Sequence, residues 1–278
     1  MVNFGCCLPI GSFVPQMDDK ETDVLEGFKK GFSILENNGF DFAELTVGSV
    51  ADLSSDEFEE VKKLLADYSI SVPAFNCFIP GNIPLTGEEV SYEKIEEYLQ
   101  LVMKRMGEMG GKYVVFGSGS ARKVPEGFSR NKAIIQLENF LKMCNKYGKK
   151  HDIIIAIEHL NKKETNIINS VKEGYELAKK INLPHIKVLA DSYHMFEESE
   201  SFDILEEVNN DLVHVHIADK DRKYPGEIVD QGVDFEKFFK TLKSIGYDEN
   251  ISLECSFSDF EEDSKNSLDY IRKVYNNK

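Results

Sequence analysis

The stretch Leu212-Val213-His214-Val215-His216-Ile217 alternates along its length, and its reading decides the fold. Successive side chains of a strand point to opposite faces, so Val213, Val215 and Ile217 share one face while Leu212, His214 and His216 share the other. Three further runs repeat the pattern. Ile153, Ile155 and Ile157 oppose Ile154, Ala156 and Glu158; Ile186, Val188 and Ala190 oppose Lys187, Leu189 and Asp191; Ile251, Leu253 and Cys255 oppose Ser252 and Glu254. Each strand therefore has an apolar side for helices and an ionisable group on the other side, at or near its C-terminal end. In a closed barrel that second side faces the axis, and four polar groups converging there mark a shared site at the barrel mouth.

Outward from these four, the same short apolar runs recur at residues 4–8, 42–47, 70–75 and 113–116, which with 153–157, 186–190, 212–217 and 251–255 makes eight. Between them lie stretches with apolar spacings of three and four, such as Val24, Leu25, Phe28, Phe32 and Leu35, or Phe58, Val61, Leu64 and Leu65. That spacing gathers the residues on one helical face. Asn38-Gly39 and Ile245-Gly246 suit left-handed helix ends just before the next strand. Eight strand-helix repeats with nearly continuous apolar strands imply parallel pairing covered by helices. The expectation is a (β/α)8 barrel, one domain over residues 1–278.

Charge and composition narrow the function. A formal net charge of −16 speaks against nucleic acid, whose binding requires cationic side chains that displace counterions. The longest purely apolar run, residues 153–157, falls far short of the roughly 20 residues of a membrane span. Met1-Val2-Asn3-Phe4-Gly5 lacks the basic start and apolar core of a secretory signal, which points to the cytoplasm. Five cysteines, at 6, 7, 77, 144 and 255, are odd in number and form no Cys-x-x-Cys pair, and read as small apolar residues in a reducing compartment.

Glu158, Asp191, His216 and Glu254 offer three carboxylates and one imidazole, without a thiolate. So hard a donor set suits a divalent ion of the manganese, magnesium or cobalt type, with positions left open for substrate oxygens; zinc is admitted but not favoured. Any one of the four taken singly reads equally well as a satisfied core polar group. Four on equivalent strand ends do not, since uncompensated buried carboxylates are expensive.

Ile157-Glu158-His159-Leu160-Asn161 with Glu164-Thr165-Asn166, then Asp191-Ser192-Tyr193-His194-Met195, His214-Val215-His216-Ile217-Ala218-Asp219 with Arg222, and Ser252-Leu253-Glu254 resemble the sugar isomerase/epimerase superfamily of xylose isomerase-like barrels. Within it the likeness is to ketose 3-epimerases acting on tagatose and psicose. It covers the C-terminal half strongly and the N-terminal half only through the strand-helix rhythm. The resemblance implies one divalent metal, manganese first, held by Glu158, Asp191, His216 and Glu254. It further implies that Glu158 and Glu254 act as an acid/base pair that epimerises C3 of a ketose through a metal-stabilised enediolate. Glu164, His194 and Arg222 would hold substrate hydroxyls and the carbonyl oxygen, and the chain would assemble as a homodimer or homotetramer. A metal-dependent dehydratase of a keto-sugar or keto-cyclitol is the runner-up, and aldose-ketose isomerisation comes third. DNA-repair endonucleases of the same barrel use three zinc ions and histidines on early strands, whereas all six histidines here lie between 151 and 216.

Other polar residues carry weaker expectations. His214 reads as a core or supporting residue one step deeper than His216; His159 points to the helices by parity, and His151 and His185 sit at strand entries. Glu44 either hydrogen-bonds a ligand or a sugar hydroxyl, or merely begins a loop. Gly117-Ser118-Gly119-Ser120-Ala121-Arg122 is either a turn or an amide-lined seat for a hydroxyl or phosphate, with Arg122 as counter-charge. Lys112, after Gly110-Gly111, lacks the spacing of a phosphate-binding loop. The chain has no tryptophan, a departure from the aromatic cover common in ketose epimerases that bears on the substrate more than on the metal.

Overall fold

The computed structural model of the chain describes residues 2–13, 24–228 and 230–277. Its strands are β1 (Asn3–Leu8), β2 (Phe42–Thr46), β3 (Ser71–Asn76), β4 (Tyr113–Phe116), β5 (Ile154–Glu158), β6 (Ile186–Asp191), β7 (Leu212–Ile217) and β8 (Asn250–Leu253). They pair in parallel, each with its successor, and β8 returns to β1, so the sheet closes into the expected barrel. The covering helices are α1 (Val24–Asn38), α2 (Ser55–Leu65), α3 (Tyr92–Glu108), α4 (Arg130–His151), α5 (Val171–Ile181), α6 (Ile204–Val208), α7 (Phe235–Ser244) and α8 (Phe260–Asn276). Among the described residues no helix is long and apolar enough to cross a membrane.

Local chemistry sets the helix limits. Ser54 and Glu57 form a reciprocal capping box on α2, and the side chains of Ser91, Ser129, Ser170, Asp234 and Asp259 accept first-turn amides of α3, α4, α5, α7 and α8. Gly39 and Gly246 follow α1 and α7 with φ of 82° and 71°, in the left-handed region expected of them. Phe28, Phe32 and Leu35 of α1 are fully buried against the barrel, and each such side chain contributes about 1.5–3 kcal/mol.

Parity holds on three of the four decisive strands. Ile155, Ile157, Val188, Ala190, Ile251 and Leu253 join the core under the helices, while Ala156 and Leu189 pack with Val115 in a separate small cluster along the axis. On β7 it fails below His214. The register slips there, Val188 pairing with Leu212 and Leu189 with His214, so one extra residue is accommodated. Leu212 joins the helix-side core and Val213 packs against the axial cluster, the reverse of their expected faces. Above the slip His214 and His216 keep the axial positions on which the site depends.

Candidate metal and substrate centre

Glu158 ends β5, Asp191 ends β6, His216 is the last but one residue of β7, and Glu254 follows β8, its amide donating to the Ile217 carbonyl at 3.1 Å. The barrel thereby brings the four expected metal-site residues together, with one donor atom from each within 4.8 Å of the others. His216 Nδ1 lies 3.2 Å from Glu158 and 3.5 Å from Glu254. Asp191 caps the short helix Ser192–Glu197 through Oδ1, which accepts the Tyr193 amide at 2.7 Å. Its Oδ2 is buried without a hydrogen-bond partner among the described residues.

The electrostatics fit a cation. Burial, with the neighbouring Glu158 and Glu254, pushes Asp191 up to about 7 despite Arg222. Burial and Glu254 also push Glu158 up. Burial pushes Glu254 the same way, but His216 and Arg222 overrule it and hold it at about 2. Three carboxylates so close cannot all ionise comfortably without positive charge among them, which His216 and Arg222 supply at Glu254 and an ion would supply to all three. An orphaned buried oxygen facing an oxygen-rich donor set is what a divalent ion would satisfy.

The three expected substrate contacts form a second group beside the first. Arg222 donates to Glu254 at 2.7 Å and to Glu164 at 3.4 Å, and its Nη2 lies 3.0 Å from His194 Nε2. Its backbone, with that of Asp221, is left-handed (φ 55° and 58°) and is pinned by the Ser256 amide donating to the Arg222 carbonyl. Cys77 and Ser118 are likewise left-handed. Such backbones cost about 1–3 kcal/mol each and cluster at functional sites. Glu158, Glu164, Arg222, Glu254, Cys77 and Ser118 all line one cleft of about 500 Å³.

Some residues were under-read from sequence. Asn161 donates its amide to Glu164 at 3.0 Å and its backbone N–H to His194 Nδ1 at 3.1 Å, which ties the two candidates together. Tyr193 lies under the Arg222 guanidinium, 4.8 Å from its ring centre. Both stand inside the quoted motifs, beside residues that drew the attention. Glu44 belongs to the buried interior, not to a loop. Cys77 is exposed and lines the cleft. His159 is buried beside His194, with burial and Arg122 holding it neutral at about 3.

Arg122 is not a counter-charge for a ligand. It is completely buried and donates to the carbonyls of Phe116, Glu158 and Ile168 at 2.9, 2.7 and 3.3 Å. It therefore ties β4 and β5 to the loop bearing Glu164, where Ile168 sits left-handed (φ 59°). Arg122→Met leaves those carbonyls unpaired, and the unfolding free energy in urea is expected to fall by about 2–4 kcal/mol; an unchanged midpoint would mean that the loop satisfies itself.

Comparison with known proteins agrees with the barrel fold. The family model described as xylose isomerase-like TIM barrel matches residues 32–274. A ketose 3-epimerase of Arthrobacter globiformis is 27% identical over 241 residues, 84% of this chain and 78% of that protein. A 3-dehydro-D-guloside 4-epimerase of Escherichia coli is 23% identical over 231 residues, 80% of this chain and 84% of that one. The crystal structure of a D-allulose 3-epimerase from Methylomonas in complex with D-allulose superposes with a TM-score of 0.83 at 21% identity, covering 99% of this chain and 97% of that one, an agreement in fold.

Proposed function

Since the chain belongs to the xylose isomerase-like TIM barrel family, we propose that it is a divalent-metal-dependent sugar epimerase, acting in the first instance at C3 of a ketose. One observation carries the proposal. The carboxylates of Glu158 and Glu254 flank the same His216 nitrogen, beside an Asp191 oxygen that is buried without a hydrogen bond, 3.7 Å from His194 Nε2. Glu158, Asp191, His216 and Glu254 would hold the ion. When bound, it supplies polarisation of a carbonyl and a neighbouring hydroxyl, which acidifies the adjoining C–H.

The remaining work falls to the chain. One glutamate takes the proton from C3 and the other returns a proton to the opposite face, a task worth about 10²–10⁴ in rate. His194 Nδ1 accepts the Asn161 N–H at 3.1 Å, and its Nε2 lies 3.0 Å from Arg222 Nη2. Arg222 and His194 converge beside Glu254, where a sugar oxygen would meet them. Glu164, 37% exposed at its side chain, is placed to accept a sugar hydroxyl. A 4-epimerase of a keto-glycoside is the second reading, favoured by the Escherichia coli relative.

The test is deuterium wash-in from D2O, followed by NMR, into ketoses and keto-glycosides supplied to metal-stripped protein reloaded with Mn2+. Deuterium at the inverted carbon supports epimerisation. Loss of water to a deoxy or unsaturated ketone would make the protein a dehydratase, and no exchange in any compound would end the proposal. The ion itself is tested by heat. At a hundredfold excess over its Kd, Mn2+ binding to the native state alone adds about 2.7 kcal/mol, an expected rise in Tm of about 5–10 °C. The rise is expected to vanish in Asp191→Ala, and a shift equal to that of the unsubstituted chain would remove Asp191 from the ligand set.

A further inference from the structure

Below the candidate metal site the barrel axis holds a fully buried carboxylate that the reaction does not use. Glu44 of β2 reaches across to β7, where its two oxygens meet His216 Nε2 at 2.9 Å and His214 Nε2 at 2.8 Å. All three side chains are shielded from solvent. Both carboxylate oxygens of Glu44 are thereby engaged, one by each imidazole. His214 is itself held. Its ring stacks on Tyr113 at 5.9 Å and lies against Phe42, whose ring occupies the space that a Cβ on Gly5 would enter at 2.2 Å.

An imidazole ring on a strand can turn about its last torsion and offer either nitrogen to a ligand. Glu44 removes that freedom. By engaging Nε2 of His216 it leaves Nδ1 as the nitrogen facing Glu158 and Glu254. We propose that Glu44, braced by His214, is a positioning residue that orients His216 toward the divalent ion. The inference rests on Glu158, Asp191, His216 and Glu254 being the ligand set. Partners of this kind typically change metal affinity by about 10–100-fold.

A rival role is visible in the same geometry. Donor atoms of Cys7, Glu44 and His216 also lie within 4.8 Å of one another, and Asn76, which donates to Cys7 at 3.1 Å, has a buried oxygen without a partner. That would make Glu44 a ligand of a second ion. Engagement of both its oxygens by imidazole nitrogens argues for positioning.

The full chain, stripped of metal, is titrated with Mn2+ while free ion is read by electron paramagnetic resonance, and the Tm of each metal-free variant is recorded. The expected result is one ion per chain, with a Kd raised about tenfold or more in Glu44→Gln and in His214→Phe. His214→Gln, which places an amide donor where Nε2 stood, is expected to restore affinity to within about threefold, a lesser loss than that range. A role in packing alone reverses that order, because Phe keeps the ring and Gln does not. Kd values for Glu44→Gln and His214→Phe within twofold of the parent chain would overturn the inference and leave the metal site standing. A second equivalent of ion lost in both Cys7→Ser and Glu44→Gln would overturn it in favour of a second site. No uptake by the parent chain would overturn the ligand set and the inference together.

Discussion

Glu158→Gln and Glu254→Gln are each expected to slow deuterium exchange at the inverted carbon by at least about 10³-fold, within the range of lost acid/base catalysis. Glutamine keeps the shape of the side chain and one oxygen but cannot carry a mobile proton. Folding is expected to survive. Glu158 is pushed up by burial and by Glu254, so neutralising it relieves a strained charge. Loss of the Glu254 charge removes one partner of Arg222, which keeps Glu164 at 3.4 Å and its place over Tyr193. Weakened ion binding is separated from lost proton transfer by measuring exchange at several Mn2+ concentrations up to saturation. Exchange in the doubly substituted chain at a rate near that of the parent would sink the acid/base assignment, whatever the metal occupancy.

Much of this arrangement was legible because a barrel writes its interior with a period of two. Glu158 and Asp191 stand out at the ends of largely apolar strands, and β5, β6 and β8 keep the expected faces. The slip between β6 and β7 was not legible, because one extra residue exchanges the faces of Leu212 and Val213 while both are apolar. Glu44 stayed ambiguous for a different reason. Its partners lie 170 and 172 residues away, and no local pattern announces a carboxylate that crosses the axis. Arg122 stayed ambiguous because basic residues after a glycine-rich turn usually meet solvent or anions, whereas here three backbone carbonyls receive the guanidinium in the interior. Sequence spacing found what β5, β6 and β8 present, and only closure of the barrel determined what met it.

Gly117→Ala, one methyl group at the end of β4, is expected to lower turnover by about 10²-fold or more. A Cβ on Gly117 would stand 2.2 Å from Glu158 Oε2 and 3.3 Å from its Cδ. Relief requires the carboxylate to retreat by about 1 Å, and a misplacement of that size at a reacting group costs about 10² in rate. The backbone offers no objection to alanine. Gly117 is not among the glycines with positive φ; the left-handed residue of this turn is Ser118, at φ 44°. The protein should therefore fold with a nearly normal Tm and fail in proton exchange. Glu158→Asp provides the second arm, since a side chain shorter by one methylene vacates the space that the new methyl enters. Combined, the two substitutions are expected to lose less than the product of their separate losses, as changes sharing one contact do. Exchange at the parent rate in Gly117→Ala, or strictly multiplicative losses in the pair, would show that the Glu158 carboxylate works from a position other than the one it occupies beside His216.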